Sequence, residues 1–177
     1  MPNHCNNTLT ITSDNAGFLQ GLMNELKMTD SDNPKFLEKL VPYTKETNWE
    51  WDYDWCVNNW GTKWDIFDVV HASLEGDTLE VSFATAWSPP VEALVTGMAK
   101  HGYIFDMFYE EGGDCFIGRS EGDGESHSDQ RWETYTDQHP EEYIPDGILD
   151  AFPWVVPDWE EWQQEKDQEE LKELQNA

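Results

Sequence analysis

The stretch WDIFDVVHASLEGDTLEVSFATAW, Trp64 to Trp87, decides the fold. Its second half alternates, putting Leu79, Val81, Phe83, Thr85 and Trp87 on one face, the period of two that a half-buried strand needs. Glu75, Gly76, Asp77 and Thr78 form a tight turn sequence between the halves, so the whole reads as a β-hairpin.

Upstream, the alternation in TLTIT places Leu9 and Ile11 on one face of a strand. Asp14 or Asn15 can cap the helix that follows, whose Phe18, Leu19, Leu22, Met23 and Leu26 recur at helical spacing. A short helical piece, PKFLEKLVP, is bounded by Pro34 and Pro42. Downstream of the hairpin, Ser88 is placed to cap a helix with Pro89 in its first turn, Val91, Leu94, Val95 and Met98 on its apolar stripe and Gly102 at its end. YIFDMFYEE then reads as a strand, and DCFIGRSEG continues or returns along it past Gly112 and Gly113.

The order is strand, helix, hairpin, helix, strand. It predicts an α+β, ferredoxin-like split βαβ arrangement: an antiparallel sheet with two helices on one face and the other face open. We expect residues 1–120 to form this domain, with a Trp-rich loop insertion at 42–64, and residues 121–177 an acidic extension. The insertion and the extension should cover the open face or hang off its end. Within the extension, SEGDGESHSDQ reads as a loop tip, QRWETYT as an edge strand, and HPEEYIPDGILDAFPWVVP as short helical turns. A helix is predicted over 158–175, capped by Asp158 with Glu161 in a capping box and Trp159, Trp162, Leu171 and Leu174 as its few apolar positions.

Aromatic residues at 14% and charged residues at 27% describe a chain with apolar material for a core and a hydrated surface. The formal charge of −27 accumulates toward the C-terminus: −4 over residues 1–64, −9 over 65–118 and −14 over 119–177. Such a chain repels nucleic acid and anionic membrane and attracts basic surfaces. The N-terminal sequence has no basic start followed by an apolar run, and no window approaches 18 apolar residues, so the expectation is a soluble, cytoplasmic protein. Cys5, Cys56 and Cys115 are far apart and form no CxxC pair, which argues for reduced thiols over disulfides or zinc.

The start MPNHCNNTLTI, the block WCVNNWGTKWD, the hairpin end TAWSPP and the later FIGR resemble, in that order, the Api92-like proteins, a family with a YubB-type ferredoxin-like domain found in phage and plasmid genomes. The resemblance covers roughly residues 1–119 and rests on Pro2, Asn3, His4, Asn7, Trp55 to Cys56, Trp60 to Asp65 and Trp87 to Pro90. It implies a ferredoxin-like fold and a mobile-element source inside a bacterial host. It implies no reaction and assigns no residue a role.

Five of the ten tryptophans, Trp49, Trp51, Trp55, Trp60 and Trp64, fall within Asn48–Asp65. Their large apolar area can clamp a loop to the sheet as a second core. The other reading is a stacking platform in which Trp60, Trp64 and Trp87 receive a small molecule or nucleotide and Lys63 supplies charge. Asp52, Asp54 and Asp65 within the same segment oppose a nucleic-acid platform, and Lys63 is placed equally well to pair with Asp65 or Asp68. Cys5 lies next to His4, but strand neighbours point to opposite faces, so a nucleophile-base pair would need His71 or His101 from elsewhere. Glu121, Asp123, Glu125, His127 and Asp129 put a ligand-capable group at every second residue, yet without the glycine and flanking helices of a calcium loop. No metal, cofactor or catalytic residue is expected.

The charge itself remains as the functional candidate. A compact chain of this length is roughly 40 Å wide, and a DNA duplex presents about 24 phosphates over that width. The chain's −27 is of the same order, which suits a mimic of a duplex that binds a basic host protein or nucleic-acid-handling complex. The C-terminal helix offers Glu160, Glu161, Glu165, Asp167, Glu169, Glu170 and Glu173 for that surface. Plain solubility is the competing account of the same charge.

Overall fold

The computed structural model describes residues 3–27, 34–44 and 51–176. Six antiparallel strands, β1 (His4–Thr12), β2 (Phe67–Glu75), β3 (Thr78–Ala86), β4 (Ile104–Glu111), β5 (Phe116–Gly122) and β6 (His127–Glu133), form one sheet in the order β2-β3-β1-β4-β5-β6. The first four reproduce the predicted ferredoxin-like order, and β5 and β6 extend it beyond β4. The predicted hairpin is β2 and β3, although β2 begins at Phe67 rather than Trp64. Its pairing shifts between Phe67 and His71, where Asp68 adopts φ +48°. A bulge of this kind re-aims side chains at a sheet edge.

Alternation along β1 divides the two faces. Cys5, Asn7, Leu9 and Ile11 are buried beneath the helices, while His4, Asn6 and Thr8 are exposed on the opposite side. Helix α1 (Ala16–Leu26) is capped by Asn15, not Asp14: the Asn15 Oδ1 accepts the Phe18 amide at 3.0 Å. Helix α2 (Phe36–Leu40) buries Phe36, Leu37 and Leu40. Each fully buried side chain of this size contributes about 1.5–3 kcal/mol. Helix α4 (Val91–His101) lies over β4 and β5 and ends on Gly102 in the left-handed conformation, φ +69°.

Ser88 does not cap α4 as predicted. Its hydroxyl donates to the Gly61 carbonyl at 2.5 Å, so Pro90 stands at the helix start without a side-chain cap. The tryptophan-rich segment also departs from a loop without regular structure, because it contains helix α3 (Tyr53–Trp60). The Asp52 carboxylate accepts the Trp55 amide at 3.0 Å and Gly61, φ +81°, closes the other end. Trp51, Trp55, Trp60 and Trp64 do not recur at 3.6 residues, which hides the helix from a hydrophobic-periodicity reading.

The described part of the insertion lies on the helix side and not on the open sheet face. Cys56, Trp60 and Trp55 join α1, α2 and α4 in the main core on the helix side. A second core lies across the sheet, where Ile117, Phe108 and Trp132 receive Ile144, Ile148, Leu149, Phe152 and Val155. These come from a 3-10 turn (Pro140–Glu142) and its sequel, α5 (Asp146–Ala151), and the start of α6 (Val155–Asn176). The expected boundary at residue 120 falls inside β5, and pairing continues through β6 to Glu133. Helix α6 starts three residues before the predicted cap, so Asp158 sits in its first turn with its amide donating to the Trp154 carbonyl at 3.0 Å.

Candidate functional site

The tryptophan block separates into an inner and an outer group. Trp60, only 6% exposed, faces inward; its Nε1 donates to the Val41 carbonyl at 2.9 Å and its ring meets Trp55 edge-on at 5.3 Å. It is therefore removed from the set with which the sequence grouped it. Lys63, Trp64 and Trp87 do come together: the ammonium lies 4.7 Å from the Trp64 ring centroid and 4.6 Å from that of Trp87. Trp51, which the site prediction omitted, adds a third ring at 5.8 Å. Trp49 lies outside the described residues.

Two backbone features hold this cage. The Trp51 Nε1 donates to the Lys63 carbonyl at 3.1 Å, tying the segment before α3 to the segment after it. Trp87 has φ +70°, a conformation that bulky residues rarely adopt, and its amide donates to the Asn3 carbonyl at 3.0 Å. The bend at the end of β3 brings this indole to the ammonium. Among the described residues the Lys63 ammonium sits in a cation-π environment, and the expected pairing with Asp65 or Asp68 is not made. Asp65 instead accepts the amides of Leu37 at 2.8 Å, Glu38 at 3.0 Å and Ile66 at 2.8 Å, capping α2, and burial pushes its carboxyl up to about 6.

The other sequence candidates resolve into structural duties. Cys5 is fully buried beside Asn7 and Thr85 on the helix-side face, whereas His71 is exposed on β2 and His101 stacks on Phe18 at 4.6 Å. Burial raises the Cys5 thiol pKa far above its ordinary value, the opposite of what a nucleophile needs. Asp123 closes the β5–β6 turn by accepting the amides of Glu125 at 2.9 Å and Ser126 at 2.7 Å. Arg119 joins two strands: its Nε donates to Asp106 at 2.8 Å and an Nη meets Glu121 at 2.8 Å.

The acidic surface is carried by α6, about 33 Å long at 1.5 Å per residue. Its first half is fastened to the body. The Trp159 Nε1 donates to the Thr136 carbonyl at 2.8 Å, Trp162 packs on Tyr135 at 5.6 Å, and the Lys166 ammonium meets Asp137 at 2.6 Å. Glu160, Glu161, Glu165, Asp167, Glu169, Glu170 and Glu173 are all exposed. Glu161, Glu165, Glu169 and Glu173 follow one another at four-residue steps and therefore form a single row along the helix. Leu171 and Leu174, further along the helix, are exposed.

The open sheet face also holds a cleft of about 690 Å³ between the β2 bulge and the chain linking α5 to α6. Sequence reasoning missed it, because its walls are more than 80 residues apart in the chain. Among the described residues no helix is long and apolar enough to cross a membrane.

In comparisons with known proteins, the model of a family described as the ferredoxin-like domain in Api92-like protein matches residues 50–146. The match takes in α3, all strands except β1, and the 3-10 turn, so it runs past the end of the resemblance read from the sequence. No curated protein and no solved structure matches the chain.

Proposed function

The chain belongs to the family of Api92-like proteins with a ferredoxin-like domain, and within it we propose a non-enzymatic role, the capture of a basic host protein by the acidic surface of α6. The observation that carries this reading is the row of Glu161, Glu165, Glu169 and Glu173. Each like-charged pair at four-residue spacing costs a helix about 0.2–0.5 kcal/mol. Solubility needs exposed charge but no such alignment, and a row of carboxylates suits a row of bases on a partner.

A partner with that surface is one that handles nucleic acid, and the chain's −27 gives it the charge of a short duplex. The role that follows for a phage or plasmid protein is a DNA mimic that inhibits a host defence or nucleic-acid-handling complex in the bacterial cytoplasm. The alternative, a small-molecule or nucleotide site on the tryptophan-rich segment, has less support. Trp60 belongs to the core and the Lys63 ammonium is already engaged by three rings.

The test is capture from host lysate by the wild-type chain and by a variant with Glu161, Glu165, Glu169 and Glu173 all changed to Gln. A basic nucleic-acid-handling protein should be retained by the wild type at low salt, released toward about 0.5 M salt, and missed by the variant. Equal capture by both chains would refute the α6 surface.

A further inference from the structure

On the open face, β1 and β3 give the cleft a floor of small side chains, Asn6, Thr8, Ser82 and Ala84. One wall is the bulge of β2, with the Asp68 carboxylate and the side chain of Val70, which is 82% exposed. The opposite wall is Phe152 and Trp154; the Trp154 indole packs edge-on against Phe152 at 5.5 Å and is 44% exposed. Two of the large apolar side chains that the protein leaves exposed thus stand on either side of one trough.

We propose that this cleft is a receptor for an arginine side chain of the basic partner, with the guanidinium stacked on Trp154 and paired with Asp68.

Three observations select that occupant. The first is charge. Among the described residues no lysine or arginine lines the cleft, and Glu110, which accepts from Asn6 Nδ2 at 3.0 Å, adds a second carboxyl just behind the floor. The carboxyls of Asp68 and Glu110, with the imidazole of His4 beside them, favour a cation there over an anion. The second is the combination of an indole wall with a carboxylate wall. A planar guanidinium can use both, stacking on the ring and forking to the two oxygens, while its methylene stem covers Val70. The third is Asp68 itself, held at φ +48° in the bulge at the sheet edge with its side chain 67% exposed. His4 Nδ1 lies 3.8 Å from its carboxylate, beyond hydrogen-bond length and within ion-pair reach only when the imidazole is protonated.

The site deepens the basic-partner reading and rests on it, but the two are separable by experiment. The probe is an acetylated and amidated Gly-Arg-Gly peptide, titrated into the isotopically labelled full chain, with the citrulline peptide as an uncharged isostere. The proposal expects saturable shifts centred on the Trp154 indole, His4 and Asn6, and little response to citrulline. Asp68→Asn retains a residue that tolerates left-handed backbone, and Trp154→Ala removes an exposed ring; each should weaken the peptide by about tenfold.

Equal binding of the citrulline peptide, or unchanged affinity in both variants, overturns the proposal. If that happens while α6 still captures its partner in a salt-sensitive way, the cleft assignment falls alone. If the cleft binds the peptide as stated while the Gln-substituted α6 captures as well as wild type, the α6 reading falls and the cleft stands.

Discussion

The Lys63 ammonium lies 4.6 Å from the ring centroid of Trp87, two side chains that arrive from opposite ends of the β2–β3 hairpin. A contact of this kind ties the segment entering β2 to the segment leaving β3, and Trp51 and Trp64 enclose it further. Lys63, for which the sequence offered a ligand charge or an acid partner, is thus a fastening between chain segments.

Removing it should cost stability. A partly shielded cation among aromatic rings is worth about 0.5–2 kcal/mol, so Lys63→Ala should lower the melting temperature by about 1–8 °C in a chain of this size. Lys63→Arg, which keeps the charge and stacks well, should lose less. If Lys63→Ala melts like wild type, the cage does no anchoring.

Two glycines should respond to alanine with opposite signs. At Gly118 a Cβ would lie 2.3 Å from the Tyr109 ring and 2.5 Å from the Gln130 carbonyl oxygen, because Tyr109 crosses β5 here to reach Asp129 at 3.0 Å. Gly118→Ala should destabilise the protein by about 1–3 kcal/mol. At Gly21, inside α1, a Cβ meets nothing within 4 Å, and Gly21→Ala should stabilise by about 0.5–1 kcal/mol. Urea unfolding of the two variants decides the matter, and a shared sign would contradict this packing.

Asp65 makes stability depend on pH in an unusual direction. Its carboxyl is raised from 3.8 to about 6, first by burial, with Glu38 adding repulsion and the amides of Leu37, Glu38 and Ile66 opposing the rise. Between those values the folded chain keeps a proton that the unfolded chain has released, so this group's contribution falls as pH rises through the window. Asp65→Asn cannot titrate there. The stability of wild type relative to Asp65→Asn should therefore decline from about pH 4 to about pH 6 and then level off. A difference independent of pH across this range would show that Asp65 ionises in the fold as it does in water.

The central fold was legible because periodicity and turn chemistry agreed. Leu79 to Trp87 alternate cleanly, Gly76 and Asp77 make the turn, and the stripe from Leu19 to Met23 has helical spacing. Features fixed by distant partners were not legible. Ser88 looks like a cap, but the Gly61 carbonyl takes its hydroxyl; Asp65 looks like a partner for Lys63, but it caps α2 from 28 residues away. Of the tryptophan site, the sequence identified Lys63, Trp64 and Trp87, included Trp60, which the core claims, and missed Trp51. The walls of the open-face cleft, Asp68 and Trp154, meet only through the tertiary fold.

The last ten residues or so of α6 offer a direct separation of stability from function. Trp159, Trp162 and Lys166 fasten the helix's first half to the body, the Lys166 ammonium meeting Asp137 at 2.6 Å and packing 5.3 Å from the Trp162 ring. Beyond it Leu171 is 57% and Leu174 76% exposed, so their apolar area contributes almost nothing to the core. Glu169 and Glu173 extend the row of carboxylates into this same stretch, with Lys172 between them. Ending the chain after Lys166 should therefore shift the melting temperature by no more than about 2 °C, while capture of a basic partner at low salt should fall sharply. A truncated chain that melts far below wild type would mean that the end of α6 packs on the body; one that captures its partner undiminished would confine the binding surface to Glu160, Glu161 and Glu165.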